Sequence, residues 1–163
     1  MTSGQDILMG SRVAHVRELK AEIERLKAEN ARLRDESTAL KAHFDLALMA
    51  AQDLRDCAAM EIWDGWNLIL GAKKEARDKA DLLAQARIRL ASETGLRVWV
   101  VFDGKDEKAV NDGGLRVSYT GGEGSQRADR FICDYVRMAR YLGFADRLRV
   151  RTNDKDLLKR TGR

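Results

Sequence analysis

The chain has 163 residues, of which 44% are hydrophobic and 34% charged, and it carries a formal net charge of +4. That length and apolar content suit one packed domain with an appendage and exclude disorder of the whole chain. Two cysteines, Cys57 and Cys133, in no CxxC spacing exclude an extracellular disulfide framework, and no run nears the roughly 18 apolar residues of a bilayer span.

A cytoplasmic protein with no membrane partner is therefore expected. The opening MTSGQDILMGSRV has neither a basic stretch nor a sustained apolar run, so no cleaved leader is expected either. Residues 1–56 hold 9 Lys and Arg against 10 Asp and Glu, and residues 57–163 hold 21 against 16. The basic excess sits in the second part, where it is compatible with a polyanionic partner without requiring one.

From Val13 onward Leu19, Leu26, Leu33 and Leu40 recur every seven residues, with Val16, Ile23, Asn30 and Ser37 in the other seam position. β-Branched residues at a with Leu at d favour a parallel two-stranded coiled coil, and one Asn at a fixes its register. Glu22, Glu29 and Glu36 at g would face Lys27, Arg34 and Lys41 at e of a second copy, so a homodimer through residues 13–48 is expected. Only Arg12 and Arg17 precede or open the coil, too few for a DNA-binding basic arm. His15 and His43 fall at g and read as solvated residues.

No Gly occurs between Gly10 and Gly65 and the chain has no Pro, so the helix is expected to run on to a boundary near residues 55–59. This divides the chain into a dimerisation helix at 1–56 and a domain at 57–163. In the domain, Met60–Trp63 reads as a strand ending in a turn at Asp64-Gly65. Residues 73–94 read as a helix closed by Gly95, LRVWVVFDG as a central strand buried on both faces, and DGKDEKAVNDGG as a polar loop. LRVSYT at 115–120 reads as a strand and GGEGSQ as a glycine loop. A helix from about Gln126 to Leu142 is closed by Gly143, RLRVRTND is the last strand, and a helix starts at Lys155. The alternation predicts an α/β fold, a mainly parallel sheet flanked by helices.

Asp64, Asp103 and Asp154 each follow a strand directly, and Asp129 lies in the first turn of the helix after the glycine loop. Ligands of open α/β sheets bind outside the carboxyl ends of the strands, so these acids are expected at one rim. An all-oxygen set without His favours a hard ion, Mg²⁺ or Mn²⁺, and such an ion supports hydrolysis of a phosphodiester. The plainer readings are turn residues for Asp64 and Asp103 and a helix-start charge for Asp129. GGEGS lacks the Lys-Ser/Thr of a P-loop. Arg127, Arg130 and Lys155 are candidates for backbone contacts to nucleic acid, and Trp66 either stacks a base or is a half-buried packing aromatic.

Taken in order, Asp64-Gly65-Trp66-Asn67, Val100-Val101-Phe102-Asp103-Gly104, the approach to a helix over Ser125–Asp129, and Thr152-Asn153-Asp154 resemble the NYN domain, a PIN-like ribonuclease fold, in its YacP-like branch. The resemblance covers about residues 60–160. It implies PIN-like topology and an acidic metal site at Asp64, Asp129 and Asp154, with Asn67, Asp103 and Asp156 in support. Trp66 stands where the family commonly has Tyr. The family continues into a further helix and usually a strand, so a trimmed or partner-completed sheet is expected here. The expected function is a metal-dependent endoribonuclease acting on RNA. The alternatives are an inactive coiled-coil adaptor that binds RNA or protein and, less strongly, a phosphoacceptor domain using Asp103.

Overall fold

The computed structural model describes residues 4–105, 109–121 and 126–162. By contacts the chain falls into two units, residues 1–44 and 45–163.

From Gly4 onward the first unit is helical and belongs to α1 (Gly4–Arg55). Val16, Leu19, Ile23, Leu26, Leu33 and Leu40 lie exposed along it at the expected seam spacing. Within the single chain Glu22 and Glu29 both pair with Arg25, at 2.7 and 3.3 Å, and the Asn30 side-chain amide donates to the Leu26 carbonyl. No helix among the described residues is long and apolar enough to cross a membrane.

The second unit takes in the end of α1, three turns earlier than the expected boundary at 57. Ala50 and Leu54 are fully buried there. Asp53 is buried too, and its carboxylate receives both guanidinium nitrogens of Arg116 at 2.7 Å and the Tyr135 hydroxyl at 3.2 Å. The sequence obscures this because the heptad runs on through Phe44, Ala47, Ala51 and Leu54, whereas Leu46, Met49, Ala50 and Leu54 are the side chains that pack into the domain core.

After α1 come β1 (Ala59–Asp64), α2 (Gly65–Leu70), α3 (Lys79–Ala91), β2 (Leu96–Phe102), β3 (Val110–Asp112), β4 (Leu115–Tyr119), α4 (Arg127–Tyr141), a 3-10 turn at Ala145–Arg147, β5 (Leu148–Arg151) and α5 (Lys155–Arg160). The five strands form one sheet in the order β3-β4-β2-β1-β5, parallel except for β3. The fold is therefore α/β with a mostly parallel sheet, as the alternation predicted.

Both faces are covered, which explains the unbroken apolar run of β2. Met60, Ile62, Trp99, Val101 and Val150 pack under α4 and the end of α1. Trp63, Val98, Val100, Phe102 and Val117 pack under α2 and α3.

Three local readings change. Asp64-Gly65 opens α2 instead of a simple turn: Asp64 caps the helix, and a Cβ on Gly65 would overlap the ring of fully buried Phe102. The helix expected over 73–94 is confined to α3, because Asp78 caps it through the Asp81 amide at 2.9 Å. The loop expected before β4 contains β3, joined by Gly113-Gly114 at φ +54° and +96°, the paired positive angles that a two-residue hairpin needs. Residues 122–125 of the glycine loop lie outside the described residues, and with them the Ser125 part of the motif.

Candidate functional site

The chain order β1, β2, β4 steps across the sheet in one direction, and the crossover through α4 then returns it to the far side of β1 as β5. β1 and β5 thus flank the topological switch point, where open α/β sheets leave a crevice for ligands. Parallel pairing sets Asp64 opposite Val101, Trp63 opposite Arg151 and Phe102 opposite Tyr119. This alignment brings Asp64, Asp103, Thr120 and Thr152 to one carboxyl rim.

Two carboxylate–hydroxyl pairs stand on this rim. Thr152 donates its hydroxyl to Asp64 Oδ2 at 2.9 Å, and Thr120 donates to Asp103 Oδ1 at 3.1 Å. The first amides of α4 reach the same place, since the Ala128 N–H donates to Asp103 Oδ1 at 2.6 Å. Asn67 bridges the two sides of the crevice: its amide lies 3.5 Å from Asp64 Oδ1, and its Oδ1 accepts the Asn153 N–H at 2.9 Å.

Asp154 has its Oδ1 committed to capping α5, accepting the Asp156 and Leu157 amides at 2.7 and 3.2 Å. Its own N–H donates to Thr152 Oγ1 at 3.0 Å, so Thr152 couples Asp154 to Asp64. Asp129 is half-buried in the first turn of α4.

The acids act on each other electrostatically. Burial raises the Asp64 carboxyl from 3.8 to about 6; the Thr152 hydrogen bond opposes this, and the charges of Asp129 and Asp103 add to it. Asp129 is raised as well, first by burial and then by Asp154, with Arg160 opposing. These are the effects expected of carboxylates gathered in a poorly solvated place.

The fit to a metal is one of donor type. The donors are hard oxygens, yet among the described residues no three His, Cys, Asp or Glu side chains are gathered closely enough to hold an ion.

The other expected site residues are distributed as follows. Asp156 is exposed and meets Lys159 at 3.6 Å, so it stands outside the charge-sharing group. Arg127, Arg130 and Lys155 are exposed. Trp66 is engaged in packing: its Nε1 donates to the Asp103 carbonyl at 2.7 Å, its ring meets Phe102 edge-on, and Lys79 lies over it.

The sequence reading gives Thr120, Thr152 and Arg160 no role at the site. For the two threonines a signal existed, since each directly follows a strand at the same rim as the acids. Comparisons of the chain with models of known families, with curated proteins and with solved structures find no match.

Proposed function

We propose that this chain is a metal-dependent endoribonuclease of PIN-like fold, related to NYN domains, and that it works as a dimer through a parallel coiled coil over residues 13–48. The observation that supports the reading is the carboxyl rim at the β1/β5 switch point, where Asp64 and Asp129 are raised by burial and by neighbouring charges, Asp64 by Asp129 and Asp103 and Asp129 by Asp154 and Asp103. Asp64, Asp129 and Asp154 would hold Mg²⁺ or Mn²⁺, with Asp103 and Asn67 beside them. Such an ion supplies polarisation of a phosphoryl oxygen and an activated water. Mg²⁺ keeps several of its waters and takes only one or two carboxylates directly, so dispersed acids suit it better than they would suit an ion needing a closed set of protein ligands.

The chain's own residues have separable tasks. Thr152 holds Asp64 at Oδ2 and fixes the carboxylate plane. Asp64, raised by burial to about 6, is ionised at neutral pH and so would be available to hold the cation. Arg127, Arg130 and Lys155 around the rim neutralise backbone phosphates without reading sequence. The test is cleavage of single-stranded RNA in Mn²⁺ by wild type, Asp64→Asn and Asp154→Asn. Activity in wild type alone supports the assignment, and equal cleavage by all three overturns it.

The adaptor reading, in which the domain binds RNA or protein without cutting, is favoured by the lack of a closed ligand group among the described residues. Thermal melting with added Mn²⁺ separates the two, because an ion bound only by the folded state raises the melting temperature. An unchanged melting temperature favours the adaptor.

A further inference from the structure

On α4, Arg127, Arg130, Asp134 and Arg137 follow one another at i, i+3, i+7 and i+10, which lines them along one face. All four are exposed. The stripe begins at the acidic rim and extends along about 15 Å of helix. Two recesses open beside it, and Arg130 lines both. The first, of about 490 Å³, has Met49 and Phe131 as apolar walls and Ser118 and Arg127 as polar ones. The second, of about 390 Å³, is bordered by Arg130, Asp134, Arg137 and Arg160. Arg160 reaches it from α5, with Nη2 at 2.9 Å from Cys133 Sγ and 3.5 Å from the Asp129 carbonyl. In this second recess Arg130, Arg137 and Arg160 border Asp134, which lies 3.3 Å from Arg137, and Arg160 also feels the charges of Asp129 and Asp154.

We propose that a single nucleic-acid strand lies along α4, one base entering the Met49–Phe131 recess and the phosphates that follow passing over Arg130 onto Arg137 and Arg160. The identity of the strand rests on the nuclease reading above; the track itself needs no cleavage. The charge excess calls for a polyanion, and the apolar-walled recess next to it calls for one carrying flat apolar groups. Its volume falls in the usual range of about 300–1,000 Å³ for small-ligand pockets. A base can enter only if it is out of a helical stack, which selects single-stranded over duplex nucleic acid. Arg137 and Arg160 extend contact beyond the rim residues, so affinity grows with strand length on this side.

Fluorescence anisotropy of the full chain in EDTA, with a labelled single-stranded RNA of about 15 nucleotides, tests the track apart from cleavage. Arg137→Glu weakens binding and lowers the slope of log K against log salt by about 0.7 per lost phosphate contact, whereas Asp134→Asn tightens it. Both positions are exposed, and matching thermal melts show that neither change acts through the fold. Wild-type binding by both variants overturns the track, as does competition by poly-glutamate as effective as by unlabelled RNA, which would identify an acidic protein partner. The two readings fail separately. Cleavage by the carboxylate variants with Arg137→Glu still weak in binding removes the nuclease and keeps the track. Inactive carboxylate variants with Arg137→Glu binding normally do the reverse.

Discussion

Thr152 Oγ1 lies 2.9 Å from Asp64 Oδ2, joining the carboxyl ends of β1 and β5 across the point where the sheet reverses its winding. The same hydroxyl oxygen accepts the Asp154 N–H at 3.0 Å. One small side chain therefore sets the position of two of the acids and restrains the proton affinity of the first.

Thr152→Val keeps the shape and removes both bonds. Since this hydrogen bond lowers the Asp64 value, its loss moves the Asp64 titration above about 6. Stability falls by roughly 1–3 kcal/mol because a nearly buried carboxylate loses its partner. Carbon-detected NMR of the Asp carboxyl groups reads the shift, and an Asp64 midpoint unchanged from wild type would contradict the assigned role.

Asp64 also gives stability a pH dependence of definite sign. Its folded value, about 6, lies above 3.8, so the fold binds this proton more tightly than the open chain does. The resulting stabilisation is fully present below about 4 and is lost as pH rises through about 6, by at most roughly 3 kcal/mol. Asp129 is shifted in the same direction and adds to the loss. In EDTA, Asp64→Asn is therefore more stable than wild type above pH 7, and the advantage disappears near pH 4. Urea denaturation at a series of pH values checks this; a variant less stable than wild type at pH 8 would refute it.

The domain begins before residue 57. Asp53 is buried against Arg116 and Tyr135, and Ala50 and Leu54 complete the same core. Asp53→Ala leaves Arg116 and the Tyr135 hydroxyl without this partner and costs on the order of 2–4 kcal/mol. A fragment of residues 45–163 unfolds cooperatively in urea, while one of residues 57–163 exposes the α1 side of the core and melts broadly or not at all. Equal cooperativity in the two fragments would show that the end of α1 is dispensable.

The exposed stripe of Val16, Leu19, Ile23, Leu26 and Leu33 is the surface that the proposed coil would bury. Leu26→Lys together with Leu33→Lys puts charges into two adjacent d layers and converts a dimer to monomer in sedimentation equilibrium. Wild type sedimenting as a monomer at high concentration would remove the dimer from the account.

Periodicity made the elements legible. The period-2 and near-continuous apolar runs located β1, β2, β4 and β5, and the 3.6-residue stripe of Ile132, Tyr135 and Ala139 located α4 to within a residue at either end. The rule that ligand sites follow parallel strands placed Asp64, Asp103 and Asp154 at one rim. Tertiary contacts accounted for the rest. Gly65 reads as a turn residue because a sequence does not display the Phe102 ring packed against it. The Gly113-Gly114 hairpin was readable from its two glycines, but exposed β3 has no apolar alternation to mark it. Asp156, expected only in support of the acids, is turned outward to Lys159 by the start of α5. Trp66 reads either as a base-stacking ring or as a half-buried aromatic, and it is half-buried, held in the wall by a hydrogen bond to the carbonyl of Asp103, 37 positions away.

The central claim is that the acids at the β1/β5 edge bind a divalent cation together. Electron paramagnetic resonance of free Mn²⁺, titrated with wild type and with Asp64→Asn, Asp129→Asn and Asp154→Asn, measures this directly. The account predicts saturable loss of the free-ion signal with wild type and weaker uptake in all three variants. Uptake by wild type no greater than by the three variants would contradict it.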